Sequence, residues 1–565
     1  MAQISQLLHD GYQHHLRGQF DDAARIYRKI LRAEPGNADV LILLGMVRDR
    51  QMRHEEAIEH FDKAIRFKPD SPQAHYNRGI SLTKLDRYPE AAPSFSRAVA
   101  LRPDLPEALG EYAVAQRHAC NWSDHDRIAR ELTSAVRKGI VVSPLKFMQF
   151  SDDPADLFAC TKKFAEQATS AQPSTRRAAP RRPPASGERI RIAYVSGDLR
   201  IHPIGQLIVG LIEHHDRTRF EVTAISTGPQ DGSPLRKRLE KAFDRFIDAR
   251  DMTTEALAAR IAELKIDVLV DVAGFTDYNR IDLFAARSAP IQVNYLCFPG
   301  TMGVDFLDYI VVDPFVASAG ADAHFSEKFA HLPDTYLASD PKRPIAKRTP
   351  SRAECGLPDV GFVFCCFNGN LKITPRVFDV WMRLLQSVPG SVLWLLKGSA
   401  AAEQNLRREA EARGIAPARL SFATRIPLDE HLARHRLADL FLDTFPYNAH
   451  TTASDALWAG LPIVTFAGRA FHARVAGSLL HAIGLPDLVT SSLEEYEALA
   501  FSLATEPDRL AEVRGRLAHN RLTMPAFDID RYRRNLEAAY DEMIAIHRRK
   551  EPPRAFKVNP IQAPA

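Results

Sequence analysis

The stretch Ala438–Val464, ADLFLDTFPYNAHTTASDALWAGLPIV, holds a short apolar run, a polar and aromatic loop, a helix-like segment opening near His450, and a second apolar run after Gly460 and Pro462. Strand, loop, helix and strand in that order make a βαβ unit, and strands this uniformly apolar need cover on both faces of a parallel sheet. Outward from it the same grammar repeats. GFVFCCF from Gly361, SVLWLLK, RLSFA and PIVTF read as further strands of the same half. Upstream, IRIAYVS (Ile190–Ser196), FEVTAIS, DVLVDVA, IQVNYL and YIVV form another set, with helices near Leu207–His215 and Glu255–Leu264. Two such sheets in tandem predict a cleft with ligands outside the strand C-termini. A last helix is expected over about Asp530–Lys550, and the Pro-rich tail 551–565 is expected to be disordered.

The first hundred residues follow a different rule. Gly11, Gly45 and Gly79 lie 34 residues apart, as do Ala23, Ala57 and Ala91, then Tyr27, Phe61 and Phe95, then Pro35, Pro69 and Pro103. Small residues let two helices approach, the aromatic fills the gap, and proline ends the second helix. The pattern resembles the tetratricopeptide repeat, whose stacked helix pairs offer a concave docking surface. From Pro106 the columns fade into a degenerate repeat that would cap the stack, and Gln167–Gly187, rich in Pro, Ala and Arg, reads as a linker.

A chain of 565 residues is too long for one core. Its 74 Lys and Arg against 70 Asp and Glu leave +4, so despite a pI near 8.6 there is no bulk field for nucleic acid. Arg176, Arg177, Arg181 and Arg182 of the linker equal that surplus. Six cysteines without a Cys-x-x-Cys pair fit a reduced compartment. No apolar stretch long enough for a membrane span and no signal-peptide core occur, so a cytoplasmic protein with no membrane partner is expected.

The missing GxxxxGK[ST], GxGxxG and GxSxG motifs weaken kinase, dehydrogenase and hydrolase readings. Two Asp-x-Asp triplets, Asp124–Asp126 and Asp528–Asp530, follow no buried strand and read as helix starts, so neither metal nor cofactor is expected. His450, Thr451, Thr452 and Asp455 fall in the first turn of a helix, where N–H groups, the dipole and two hydroxyls suit a diphosphate; Thr452-x-x-Asp455 also matches a capping box that needs no ligand. The strand exit CFNGNLKITP carries Asn368 and Lys372. That lysine either neutralises a leaving diphosphate or stands solvated before a helix capped by Thr374–Pro375. His431 and Arg434 share a helix face. His202 sits where the first strand exits, placed to deprotonate a hydroxyl or simply structural. Pro299 and Gly300 lie in a loop, FPGTMG, that either brings backbone N–H groups to a sugar or phosphate or turns the chain.

Together CNWSD (Cys120–Asp124), IHPIG (Ile201–Gly205), APIQVNYLCFPGT (Ala289–Thr301), CCFNGNLKITP, SVLWLLK, EHLAR and LDTFPYNAHTTASDALWAGLP resemble the O-linked N-acetylglucosamine transferases with tetratricopeptide repeats, glycosyltransferase family 41, in their bacterial form with few repeats. The resemblance runs to about residue 548. It implies an α-helical tetratricopeptide solenoid followed by a two-domain α/β glycosyltransferase of the GT-B type with two Rossmann-like sheets. The boundaries are 1–140 for repeats and cap, 141–188 for a helical and linker segment, 189–345 for the N-terminal half, and 346–550 for the C-terminal half with the final helix. It also implies metal-independent, inverting transfer of N-acetylglucosamine from UDP-GlcNAc to Ser or Thr hydroxyls of acceptor proteins docked on the repeats. By position, Lys372 would bind the diphosphate and assist its departure, and Thr451 and Thr452 would hold phosphate. Asp455 would take the ribose, while His431, Arg434 and the backbone near Ile426 line the uridine pocket. His450 would lie beside sugar and phosphates. His202 matches a histidine proposed as base, with a donor phosphate oxygen as competitor.

Where animal members carry Gln and Lys, this chain has Gly369 and Leu428. UDP-glucose and GDP-fucose therefore stay open as donors, beside two further readings: an adaptor that binds UDP without turnover, and a UDP-sugar epimerase, against which the repeats argue.

Overall fold

The computed structural model describes residues 2–105, 107–170 and 187–560. They divide into two compact units, one holding everything up to Lys146 together with Gly398–Arg408, the other Phe147–Lys397 and the chain from Glu409 onward.

In the first unit the helices pair as the 34-residue period predicts: Ala2–Leu16 with Phe20–Ala33, Ala38–Arg50 with His54–Phe67, and Pro72–Lys84 with Tyr88–Leu101. Pro35, Pro69 and Pro103 each follow the residue that closes a second helix, where an absent N–H costs nothing. Asn37 and Ser71 then start the next helices by accepting from the N–H groups of Val40 and Ala74. The glycine column has a measurable cause: a Cβ at Gly11, Gly45 or Gly79 would stand 2.7, 2.6 or 2.5 Å from the ring carbon Cε1 of Tyr27, Phe61 or Phe95. The degenerate repeat forms a fourth pair, Ala108–His118 and His125–Arg137, tied to the third by the stacked rings of Tyr88 and His118, 3.8 Å apart. Pro106, where the change of pattern begins, lies outside the described residues. Gly398–Arg408 groups here too, Asn405 Nδ2 donating to Ala119 O at 2.8 Å, a return that no repeat pattern announces.

The second unit carries two all-parallel sheets. The first is built from β1 (Ile190–Ser196), β2 (Phe220–Ser226), β3 (Arg245–Asp248), β4 (Val268–Asp271), β5 (Ile291–Asn294), β6 (Tyr309–Val312) and β7 (Lys328–His331); the second from β8 (Val363–Cys366), β9 (Val392–Leu396), β10 (Leu420–Ala423), β11 (Leu440–Leu442), β12 (Ile463–Phe466) and β13 (Val489–Thr490). Their orders, 3-2-1-4-5-6-7 and 10-9-8-11-12-13, both reverse beside the first strand, at β1/β4 and β8/β11, which is where ligands bind such sheets. All ten strands read from the sequence are present. Strands β3, β7 and β13 were not anticipated, because they are short or carry charged residues at their ends and make no apolar run.

Two expectations for the C-terminus need correction. The final helix, Ile529–Arg548, belongs with the first sheet: Tyr532 Oη donates to Tyr336 O (2.5 Å) and meets Tyr295 Oη (2.6 Å), Tyr540 Oη meets Tyr194 Oη (3.1 Å), and Glu537 pairs with the buried His215 (2.9 Å). Its inward stripe of Tyr532, Leu536, Ala539, Tyr540 and Met543 needs that apolar floor. The tail is ordered through residue 560 rather than disordered, since Phe556–Lys557 (β14) extends the first sheet beside β7, Val558 N donating to His331 O. Residues 561–565 lie outside the described residues, as does 171–186 of the linker, whose opening residues are helical because Pro154–Thr169 runs into them. Among the described residues, no helix is long and apolar enough to cross a membrane.

The glycine column makes the first prediction. Gly79→Ala should destabilise the repeats by about 1–3 kcal/mol through overpacking on Phe95. Gly110→Ala, whose Cβ would meet nothing closer than 3.5 Å, should be neutral or stabilising by up to about 1 kcal/mol. Urea denaturation of the full chain followed by far-UV circular dichroism separates the two.

Candidate active site

The site forms outside the C-terminal ends of β8 and β11, at the reversal of the second sheet. Asp443, the residue after β11, is buried. Its Oδ1 accepts from the N–H groups of Thr444 (2.7 Å) and Ala449 (2.6 Å) and from Asn368 Nδ2 (3.3 Å), and its Oδ2 from Thr465 Oγ1 (2.7 Å). Burial raises its pKa despite those donors and nearby Lys372. Four donors from the β8 exit, β12 and the 444–450 loop thus meet on one carboxylate.

Lys372 and Asn368 arrive from the β8 exit. Lys372 Nζ donates to Asn448 O (2.7 Å) and stands 3.9 Å from the centre of the Tyr447 ring. Burial lowers its pKa to about 8, with Asp443 pulling the other way. It is therefore no freely solvated lysine, although Thr374 does cap the next helix. Asn368 donates to Thr444 Oγ1 (2.8 Å) and accepts from Thr452 Oγ1.

The helix after the loop is Thr451–Ala459, with His450 at its N-cap. The capping-box alternative is therefore corrected: Thr452 lies inside the first turn, its hydroxyl is turned to Asn368, and Asp455 caps nothing. The first intrahelical bonds run from Ala453 and Ser454 to His450 O, so the N–H groups of Thr451 and Thr452 stand ahead of them at the positive end of the dipole. His450 donates through Nε2 to His472 O (3.1 Å) and packs on Tyr447 (4.9 Å); burial and Lys372 hold it neutral. Lys372, His450, Thr451 and Thr452 are half-buried above a fully buried layer of Asn368, Asp443 and Asn448. This is a preorganised cationic and N–H-rich mouth suited to a diphosphate.

Asp455 is engaged elsewhere, in a buried ion pair with Arg343, which also donates to Ser454 Oγ (3.0 Å). Next to the mouth, Arg434 donates to Thr424 O (2.6 Å) and lies 5.0 Å from the Phe367 ring, which also packs on His431 (5.2 Å). Helix Leu428–Arg434 thus places both residues on one aromatic wall, as their spacing predicts, and burial keeps His431 neutral. Ile426, partly exposed, lies in the loop from β10 into that helix.

From the first sheet, His202 is the N-cap of helix Pro203–His214. Its Nδ1 accepts from Ile204 N (3.3 Å) and lies 3.6 Å from Asp198 Oδ2. Burial lowers its pKa against the pull of Asp198. Donation to a ligand from Gly300 is corrected: its N–H bonds Phe298 O (3.0 Å), Pro299 has none, and the N–H groups of Met302 and Gly303 go to Glu327 and Thr301 Oγ1, so these groups turn the chain. Each Asp-x-Asp triplet opens a helix, Asp124 paired with Arg127 and Asp528 accepting from Arg531 N.

Asp443, Tyr447, Asn448 and His472 escaped the sequence reading. For Asp443 a signal existed: DVLVDVA and ADLFLDT both end an apolar run in Asp, and Asp271 likewise accepts from Ala273 and Gly274 beside the first sheet's reversal.

Two parallel sheets in one unit, with a phosphate-suited helix start at the second reversal, define a two-sheet α/β architecture of the GT-B type. Residues 167–349 and 342–536 match the model of glycosyl transferase family 41, and 17–72 and 65–106 match the tetratricopeptide repeat. The chain belongs to glycosyl transferase family 41. It is 36% identical over 460 residues to a probable UDP-N-acetylglucosamine--peptide N-acetylglucosaminyltransferase SEC of Arabidopsis thaliana, covering 78% of this chain and 47% of the relative. It is 28% identical over 550 residues to a UDP-N-acetylglucosamine--peptide N-acetylglucosaminyltransferase of Caenorhabditis elegans, covering 75% and 48%. The chain thus spans about half the length of these curated relatives. A solved Thermobaculum terrenum O-GlcNAc transferase mutant superposes with a TM-score of 0.72 at 29% identity, covering 97% of this chain and 98% of that one.

A bound anion favours charged Lys372 and so raises its pKa. The ratio of wild-type to Lys372→Ala affinity for pyrophosphate, which cancels the ligand's own ionisation, should fall above about pH 8, by up to about tenfold per unit. Calorimetry in buffers of different ionisation enthalpy should register more proton uptake near pH 8–9 in wild type than in Lys372→Ala, and a ratio unchanged to pH 10 would remove Lys372 from the anion site.

Proposed function

We propose that this chain is an inverting glycosyltransferase that moves N-acetylglucosamine from UDP-GlcNAc to Ser or Thr hydroxyls of polypeptides, with the repeats as docking surface. What carries the reading is the half-buried, charge-compensated Lys372 held beside the N–H groups of Thr451 and Thr452 at the helix start, in a family 41 chain with tetratricopeptide repeats. The uracil and ribose lie along the Phe367, His431 and Arg434 wall. The diphosphate sits at the helix start, where Lys372 offsets charge that is greater in the transition state than in the bound donor. The acceptor oxygen bonds to C1 of the sugar as the bond from C1 to the diphosphate oxygen breaks, inverting the carbon. The hydroxyl proton passes to His202 or to a donor phosphate oxygen. Either receiver works without a metal, and the carboxylates of the Asp-x-Asp triplets serve helix starts and arginines instead.

Asp455 takes the ribose only by giving up part of its pairing with Arg343, a cost the donor must offset. With Gly369 and Leu428 in place of longer side chains, UDP-glucose and GDP-fucose are the competing donors. Six free cysteines suit a cytoplasmic setting.

Incubation with Ser- and Thr-containing peptides and a panel of UDP- and GDP-sugars, followed by mass spectrometry, should show addition of one N-acetylhexosamine from UDP-GlcNAc. Lys372→Ala should cut transfer by about 100-fold or more while the fold persists. Equal UDP release by wild type and variant under every donor would refute catalysis. Saturable UDP binding that is lost in Thr451→Ala/Thr452→Ala, with no transfer, would instead establish the adaptor reading.

A further inference from the structure

Tyr447 and Asn448 are neighbours in the chain, and both meet Lys372 from one loop. Asn448 O accepts from Lys372 Nζ (2.7 Å), and the Tyr447 ring turns its face to the same nitrogen, 3.9 Å from the ring centre. The loop that carries them is held at several points. Thr444 Oγ1 donates to Tyr447 O (2.7 Å), Asn448 Nδ2 to Thr444 O (2.9 Å), and Asn448 N to His472 O (3.1 Å). The Tyr447 ring also packs on His450 (4.9 Å) and His472 (5.5 Å), so it is the ring, not the hydroxyl, that makes these contacts. An ammonium on a flexible four-carbon stem is aimed only by what its three N–H bonds meet. Asp443, after β11, supplies charge, but its oxygens are taken by the four donors described above, so it attracts Lys372 without aiming it. Burial keeps the other titratable groups around Lys372 neutral: the Cys366 thiol of β8, the Tyr447 hydroxyl, His450 at the helix start and His472 after β12.

We propose that Tyr447 is a positioning residue for the transfer: its ring face and Asn448 O take two of the three N–H directions of Lys372 and leave the third for an oxygen of the departing diphosphate. This role rests on Lys372 serving the diphosphate, as proposed above. A ring face attracts a cation through its quadrupole and carries no net charge, so it holds the ammonium without repelling the ligand. A second carboxylate in the same place would bind Lys372 more strongly and oppose the diphosphate. Because the charge on the leaving oxygen grows in the transition state, a misaimed ammonium costs rate more than donor affinity.

Competitive acetylation of the full chain across a pH series, with the Lys372 peptide quantified by mass spectrometry, reads the titration of this lysine without any turnover. Its midpoint should lie near pH 8 in wild type and about one pH unit lower in Tyr447→Leu, which keeps an apolar side chain but removes the ring. Tyr447→Phe, which keeps the face and loses the hydroxyl, should titrate as wild type does. With UDP-GlcNAc and an acceptor peptide, Tyr447→Leu should lose about tenfold in kcat while KM for the donor stays within about twofold, and Tyr447→Phe should recover most of that loss. An unmoved midpoint in Tyr447→Leu, a Tyr447→Phe variant that falls as far as Tyr447→Leu, or a loss confined to KM would overturn the proposal. Turnover judges the transfer reading separately: midpoints that move as stated in a chain that transfers no sugar from any donor sink the transfer alone, and transfer by wild type with one midpoint in all three proteins sinks the positioning role alone.

Discussion

A carboxylate taken out of water costs several kcal/mol unless hydrogen bonds replace its hydration, and Asp443 is held by four. The donors come from three places in the chain, so the same bonds that make the charge tolerable lock the β8 exit, the β11 exit and β12 into one arrangement. The consequences reach the surface in two steps. Asn368, fixed from below, holds Thr452, and the 444–450 loop presents Asn448 O to Lys372. The buried negative charge of Asp443 also makes a half-buried lysine affordable beside it, which is what gives the helix start its cationic partner.

The first sheet repeats the device with Asp271, and the last helix joins the two halves of the chain's history: after the second sheet is complete, Ile529–Arg548 returns to cover the first through Tyr532, Glu537 and Tyr540. Contact between the halves is also direct. Asp313, just after β6, accepts from Ser478 (2.7 Å), and Arg474 donates to Phe315 O (2.8 Å). The second-sheet mouth and the His202 loop are therefore parts of one packed unit rather than of two loosely tethered domains.

Much of this was legible in the residues. The 34-residue columns gave helix pairs because glycine, alanine and aromatic positions answer a local steric demand that recurs in each copy. The apolar runs gave ten strands because parallel strands are buried on both faces. Asn368 and Lys372 were recognisable as polar groups at a strand exit, and His450 and Thr452 as polar groups in the first turn of a helix. What stayed hidden depends on pairing across long separations. The Arg343–Asp455 pair joins residues far apart in sequence, so Asp455 looked like a cap. The role of Asp443 depends on Thr465 and Asn368. The strand at Phe556 exists only because β7 offers an edge, and its Pro-rich approach resembles a loose tail.

The central claim is that the diphosphate, not the base, supplies most of the binding energy at this mouth. Isothermal titration of the full chain with UDP and with uridine at pH 7 tests it most directly. UDP should bind at least about a hundredfold more tightly than uridine, since each charge-assisted hydrogen bond contributes about 1.5–3 kcal/mol. Equal affinities for the two would contradict the account.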